Sequence, residues 1–169
     1  MAANRARRKR REHSRLSKAG WSDWEKAMVP TFRKDVEERG PGQDGFMCSS
    51  IKTAFPDQAR HCGIYEWAAK RKLRGQPNKK VVVYIGSTCR GKPGALRGRI
   101  LEYCRDGSHK HEYMNVALTR GYELWVRVKI VEGRNPSREK AQDKEDKLLA
   151  RYDYAWNTRK NGHIRDILP

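Results

Sequence analysis

Apolar and polar positions along the chain fall into a few regular stretches, most of them beyond residue 60. Residues 62–69 (Cys-Gly-Ile-Tyr-Glu-Trp-Ala-Ala) and 80–86 (Lys-Val-Val-Val-Tyr-Ile-Gly) are β-prone runs separated by a polar stretch with Gly75, Pro77 and Asn78. Such a pair predicts a hairpin with a long turn. Between Tyr122 and Val131, Leu124, Val126, Val128 and Ile130 alternate with Trp125, Arg127 and Lys129, the period of a half-buried strand. From Gly94 to Cys104 the apolar positions Leu96, Ile100, Tyr103 and Cys104 keep helical spacing, which leaves Arg97 and Arg99 on the flanks of the stripe. Ser108 stands where an N-cap belongs for a second helix over 111–120, with Gly121 as its stop. After Asn135-Pro136-Ser137 the pattern predicts a third helix, to about Tyr152, with Ala141, Leu148, Leu149 and Tyr152 on one stripe.

The N-terminal part reads differently. Ser22-Asp23-Trp24-Glu25 has the spacing of a capping box, which predicts a helix carrying Trp24, Met28 and Phe32 on one side. Gly40-Pro41-Gly42 breaks it, and residues 40–60 read as loop. Between Arg5 and Lys18 eight Lys or Arg stand against the single Glu12, with almost nothing apolar to bury, so residues 1–20 are expected to be a disordered basic tail. A helix-and-loop extension over 21–60 and one folded domain over 61–169 complete the division. A chain of 169 residues suits one compact domain better than two.

Charge narrows the partners. Lys plus Arg number 38 against 20 Asp plus Glu, a formal net charge of +18. The first 18 residues hold +7 of it, so the folded part is basic as well. Such a surplus strains a compact chain unless a polyanion neutralises it, and the polyanion that fits is nucleic acid, DNA or RNA. No apolar run approaches the ~20 residues needed to span a bilayer, so a soluble protein without a membrane partner is expected. Cysteines at 48, 62, 89 and 104 show no C-x-x-C spacing, which argues against a zinc ribbon or a secreted disulfide framework and for reduced thiols inside a cell. The basic tail suits nuclear import if the source is eukaryotic, or a phosphate-binding arm.

Glu145 is the most informative single residue. It lies on the apolar stripe of the third helix, four residues after Ala141, while Asp143, Lys144, Asp146 and Lys147 take the solvent side. A carboxylate placed among leucines needs a cation, and either an arginine or a divalent metal at a cleft would serve.

Gly63-Ile64-Tyr65 and Tyr84-Ile85-Gly86, followed by a helix with an arginine and later a helix with a glutamate, resemble the ordered signature of the GIY-YIG nuclease superfamily over roughly residues 61–168. The resemblance implies an α+β fold, a small three-stranded antiparallel sheet flanked by helices, with the catalytic groups gathered on one sheet face. Carried over by position, Tyr65 and Tyr84 match the motif tyrosines, Arg99 the helix arginine, Glu145 the metal-binding glutamate and Asn157 a downstream asparagine. Tyr103 stands where many relatives have histidine or tyrosine. The segments Gly107-Ser108-His109-Lys110, Ala117–Tyr122 and Tyr152–Asn157 are similar to the plant Effector of Transcription proteins and their relatives, nuclear regulators with a GIY-YIG-like domain.

The function so implied is metal-dependent endonucleolytic hydrolysis of DNA phosphodiesters, leaving a 5′-phosphate and a 3′-hydroxyl, and the resemblance makes DNA a more expected partner than RNA. Tyr65 would act as general base, its phenol lowered from about 10 by neighbouring cations such as Arg99. Tyr84 would position the water, Arg99 would neutralise the phosphate, and Glu145 would hold one Mg²⁺ or Mn²⁺. Arg97, Tyr103, His109, His111, Asn157 and Lys92 are candidates for binding substrate. Lys92 sits in Arg90-Gly91-Lys92-Pro93-Gly94, an insertion between the second motif and its helix that makes the choice between Arg97 and Arg99 less direct. Individually each tyrosine reads better as a packed aromatic, a reading that the ordered motif set reverses; Asn157 reads equally well as a turn-holding residue, and Trp67, Trp125 and Trp156 read as packing. Two further readings compete: a DNA-binding transcriptional regulator that kept the fold with little or no cleavage, and a structural RNA-binding protein, which explains the charge but not the motif order.

Overall fold

The computed structural model of the chain describes residues 9–10, 20–30, 62–71, 80–90, 94–104, 108–131 and 136–158. In chain order the elements are β1 (Lys9–Arg10), β2 (Glu25–Met28), β3 (Cys62–Lys70), β4 (Lys80–Cys89), α1 (Ala95–Tyr103), α2 (His111–Thr119), β5 (Glu123–Ile130), α3 (Arg138–Arg151) and β6 (Tyr152–Asp153). Strands β2, β5, β3 and β4 form one antiparallel sheet in that spatial order. β1 and β6 make a separate two-residue parallel pair, so Lys9 and Arg10 of the basic tail are in contact with the chain just beyond α3. No helix among the described residues is long and apolar enough to cross a membrane.

The hairpin, the third strand and the three helices form where the apolar pattern places them. β3 is central, paired with β4 on one side and β5 on the other, and every residue from Cys62 to Ala69 is buried. A strand covered on both faces reads as a continuous apolar run rather than an alternation. Tyr65, Trp67 and Ala69 lie opposite Val128, Val126 and Leu124 of β5, and this face packs against Leu96, Ile100, Leu101 and Tyr103 of α1 and Met114, Ala117 and Leu118 of α2. On the other face Ala68, Val82 and Ile85 pack against Leu149 of α3 and Tyr154. Gly94 (φ 71°) precedes α1 and Gly121 (φ 82°) follows α2, both in the left-handed region where a side chain would be strained. Ser137 caps α3, its hydroxyl accepting from the Lys140 N–H at 3.2 Å. Ser108 does not cap α2: its backbone carbonyl accepts from the His111 N–H at 2.9 Å, and its buried hydroxyl has no hydrogen-bond partner among the described residues.

The capping-box expectation at Ser22 is overturned. Glu25–Met28 is a strand on the edge of β5, which makes the sheet four-stranded instead of three-stranded. The Ser22 oxygen accepts from the Val128 N–H at 3.0 Å, and its own N–H donates to the Val128 carbonyl at 2.8 Å. An N-cap is worth about 1 kcal/mol, whereas the β5 edge offers a row of backbone groups that must find partners, so pairing wins over the local signal. Met28 still packs against the core; Phe32, the loop over 40–60 and the turn over 72–79 lie outside the described residues.

Two further expectations change. β5 is covered on both faces rather than one: Arg127 is buried, donating to Glu66 of β3 from Nε at 2.9 Å and from a terminal nitrogen at 2.6 Å. The other oxygen of Glu66 accepts from the Tyr154 hydroxyl at 2.6 Å. Cys62 and Cys89 face each other across the β3–β4 register and are joined in a disulfide, against the expectation of reduced thiols. Their sequence separation of 27 carries no spacing signal; only the strand register brings them together. Cys104 is buried, its thiol 3.8 Å from the Ile100 carbonyl.

Candidate active site

The register of β3 and β4 sets the site. Tyr65 pairs with Gly86 and Trp67 with Tyr84, so both motif tyrosines project from the face covered by α1 and α2. Their ring centroids are 6.3 Å apart, and Tyr103, from the last turn of α1, fits between them at 5.7 Å from Tyr65 and 5.9 Å from Tyr84. The motif glycine explains how the rings come so close. A Cβ on Gly86 would stand 2.5–2.8 Å from the Tyr65 ring and hydroxyl, so Tyr65 lies over β4 only because Gly86 has no side chain. Gly63 is similarly filled, by Leu96 and the Lys129 carbonyl, each 2.8 Å from a built Cβ.

The phenols share hydrogen bonds. The Tyr65 and Tyr103 hydroxyls are 2.9 Å apart, and Tyr103 donates to the Tyr84 hydroxyl at 3.3 Å. His109 Nε2 lies 3.3 Å from the Tyr103 hydroxyl and 3.4 Å from that of Tyr84. Arg99 Nε donates to the Tyr65 hydroxyl at 3.3 Å, which brings Arg99 into the cluster. The Arg99 guanidinium also donates to Glu102 at 2.5 Å, and Arg90, expected in a surface loop, donates to the same carboxylate at 3.0 Å. Burial would raise the Glu102 carboxyl, but bonds from Arg90 and Arg99 outweigh it and hold it below its usual range. Arg99, Glu102, Tyr103, Ser108 and His109 line a recess of about 110 Å³.

Electrostatics overturn one expectation. Burial raises the Tyr65 phenol above 10 despite the opposing Arg99 charge, so the cation next to it does not make the phenolate accessible. Burial raises Tyr84 and Tyr103 as well; Tyr65 lifts both further, Tyr84 adds to the rise at Tyr103, and the hydrogen bond from Tyr103 opposes it at Tyr84. His109 moves the other way: burial, then Arg99 and Lys110, push its imidazole below 6.5, with Glu102 opposing.

Glu145 is buried on α3 with Ala141 and Leu149, as the stripe predicts, and accepts a short hydrogen bond from the Ser87 hydroxyl of β4. α3 packs on the opposite face of the sheet from α1 and α2, so the expected gathering on one face does not hold. Glu145 instead meets the outer strand β4 at Ser87, next to Gly86, and its charge raises both Tyr65 and Tyr84. Among the described residues no three His, Cys, Asp or Glu cluster as a metal cage. One buried carboxylate steadied by a serine suits a hard cation that takes its remaining ligands from water and substrate phosphate.

Asn157 is placed beside the site in a supporting position. Its amide donates to the Ile85 carbonyl at 2.9 Å and its oxygen accepts from the Ile85 N–H at 3.0 Å, which fixes β4 between Tyr84 and Gly86. The adjacent Trp156 N–H donates to the Val83 carbonyl at 2.8 Å. His111 opens α2, two residues past His109, and Arg97 sits on α1 beside the turn that carries Arg99. Lys92 lies outside the described residues.

Sequence reasoning missed Ser87, Arg90, Glu102 and Lys110. Lys110 is buried, donates to the Trp156 carbonyl at 2.9 Å and lies 5.1 Å over the Tyr84 ring, with burial lowering its ammonium. An i, i+3 pairing of Arg99 with Glu102 was the one signal within reach. Further along the α3-covered face, the Lys26, Lys70 and Lys80 ammonium groups surround the Trp125 ring at 5.2, 5.2 and 4.0 Å. Burial, then Lys70 and Arg127, push Lys80 down to about 8.

A family model described as GIY-YIG domain-containing protein matches residues 21–168. No curated protein and no solved structure matches the chain. Members of the matched family are, in general, nucleases that act on nucleic acids, in general DNA. With its motif tyrosines adjoining across the β3–β4 hairpin and the match covering the four-stranded sheet and the three helices described, the chain belongs to the GIY-YIG domain family.

Proposed function

We propose that the protein is a metal-dependent endonuclease that hydrolyses DNA phosphodiesters at the Tyr65–Tyr84–Arg99–Glu145 site. The observation that carries this reading is a cluster of three hydrogen-bonded phenols, a guanidinium and an exposed imidazole beside a recess lined by Arg99, Tyr103 and His109, in a chain of net charge +18. Hydrolysis needs a proton acceptor for water, a cation for the phosphoryl oxygens and help for the leaving oxygen. Tyr65 takes the proton, Tyr84 orients the water, and Arg99 faces the phosphate with nitrogens fixed by Glu102. Glu145, with Ser87 orienting it, would hold one Mg²⁺ or Mn²⁺. Such an ion supplies charge neutralisation at the phosphate and the leaving oxygen. Tyr103 and His109 line the path of the substrate phosphate, and the basic tail adds nonspecific affinity that falls with salt and suits a nuclear protein.

The test is nicking of supercoiled plasmid with EDTA, Mg²⁺ or Mn²⁺, by the parent, Glu145→Ala and Tyr65→Phe. Metal-dependent nicking that drops on the order of 10²-fold or more in each variant, with folding and DNA binding retained, is expected. Equal nicking by parent and Glu145→Ala would remove the assignment.

A further inference from the structure

Burial sets the tyrosine cluster a problem. Tyr65, Tyr84 and Tyr103 are all buried, and desolvation makes each phenolate harder to form than in water. A phenol in that position can accept a proton from water only by passing on its own in the same event. The hydrogen bonds supply the route. From Tyr65 the chain leads to Tyr103 at 2.9 Å, and from Tyr103 either straight to His109 Nε2 at 3.3 Å or through Tyr84 at 3.3 Å and then 3.4 Å. Both branches end on one atom. His109 is also less buried than the phenols and lines the recess with Arg99, Glu102, Tyr103 and Ser108.

We propose that His109 is the terminal proton acceptor of a Tyr65–Tyr103–His109 relay, with Tyr84 as a parallel branch. The proposal rests on the hydrolytic reading above. As the water oxygen forms its bond to phosphorus, the water proton moves to the Tyr65 oxygen, the Tyr65 proton to the Tyr103 oxygen, and the Tyr103 proton to His109 Nε2. The bond from phosphorus to the 3′ oxygen breaks with its electron pair on that oxygen, which takes a proton from solvent water. The hydroxide so formed is neutralised when the imidazolium returns its proton at the recess, and all three phenols are regained. His109 acts on the attacking water only through the tyrosines.

The relay needs His109 neutral, with its proton on Nδ1 so that Nε2 can accept. The groups facing it are Arg99, Glu102 and Tyr103 from α1, Tyr84 from β4 and the neighbouring Lys110. Burial and the two cations depress the imidazole below 6.5, Glu102 opposes them, and the ring is therefore neutral at neutral pH. Activity is expected to fall as pH drops through that depressed value.

Two measurements test this together. Nicking is followed from about pH 5 to about pH 9 for the parent, His109→Gln and Tyr103→Phe, and the His109 ring is titrated by nitrogen-detected NMR in the parent and in Tyr103→Phe. His109→Gln should lose on the order of 10²-fold at neutral pH, lose the parent's acid limb, rise with pH, and regain part of its rate in added imidazole. Persistence of the parent's acid limb in His109→Gln overturns the relay. A parent that nicks nothing removes the hydrolytic reading alone, and the relay is then decided by NMR. A proton on Nδ1 at neutral pH and a midpoint that moves in Tyr103→Phe support it; a proton on Nε2, or a midpoint indifferent to Tyr103, overturns it.

Discussion

Two polar clusters lie on opposite faces of the same three strands, and they are built on opposite terms. On the α3 side, Glu66 accepts two bonds from Arg127 and one from Tyr154, all between 2.6 and 2.9 Å, with both members of the ion pair sealed from solvent. On the α1 side, the bonds joining Tyr84, Tyr103, His109 and Arg99 to one another and to Tyr65 are mostly 3.3–3.4 Å, and the cluster opens on a recess. A closed and fully satisfied network specifies structure. A looser one with half-exposed members leaves lone pairs and donors for water and phosphate to occupy, and such bonds often tighten only when substrate binds.

The comparison can be broken at its strongest point first. Glu66→Ala leaves the Arg127 charge buried and unpaired, so a loss of about 3–5 kcal/mol in urea unfolding is expected. A loss under about 1 kcal/mol would mean that the pair is not what holds that face. Gly86→Ala should act in the reverse sense: the added methyl overlaps the Tyr65 ring, which must leave its place over β4. Nicking is expected to fall on the order of 10²-fold, more than binding falls, because about 1 Å of misplacement at a reacting group is costly. A variant as active as the parent would show that Tyr65 need not lie where it does. The smallest effect is expected at the lysines around Trp125. Lys70→Ala and Lys80→Ala should each lower the slope of log affinity against log salt by about 1 while the rate of bond cleavage at saturating DNA stays that of the parent. An unchanged slope would separate this cluster from DNA binding.

Much of this difference is written unevenly in the sequence. Glu145 was legible because a carboxylate on an apolar helical stripe breaks a pattern, and the motif tyrosines because their order along the chain carries information that neither has alone. Ser137 capped its helix as a local rule predicts. Ser22 obeyed the same rule in sequence and broke it in structure, because an open strand edge outcompeted a cap. Arg127 looked like the solvent side of an alternating strand, and nothing nearby announces Glu66, 61 residues earlier, as its partner. Lys110 was invisible for a related reason: its role depends on where α2 lies relative to β4, which no spacing encodes, whereas Glu102 showed only as the i, i+3 partner of Arg99. Cys62 and Cys89 meet only through the hairpin register.

Asn157 and Trp156 carry a consequence beyond the site. β4, which bears Tyr84 and Gly86, is the outermost strand of its sheet, and an outermost strand is a template on which a second chain can add. The segment just past β6 bonds to that strand at Val83 and Ile85 through one backbone donor and a side-chain amide that mimics backbone on both counts. It behaves as a partial fifth strand contributed by the molecule to itself. The backbone groups of Val83 and Ile85 that would otherwise serve a second chain are thereby occupied from within, by the same residues that hold β4 on either side of Tyr84.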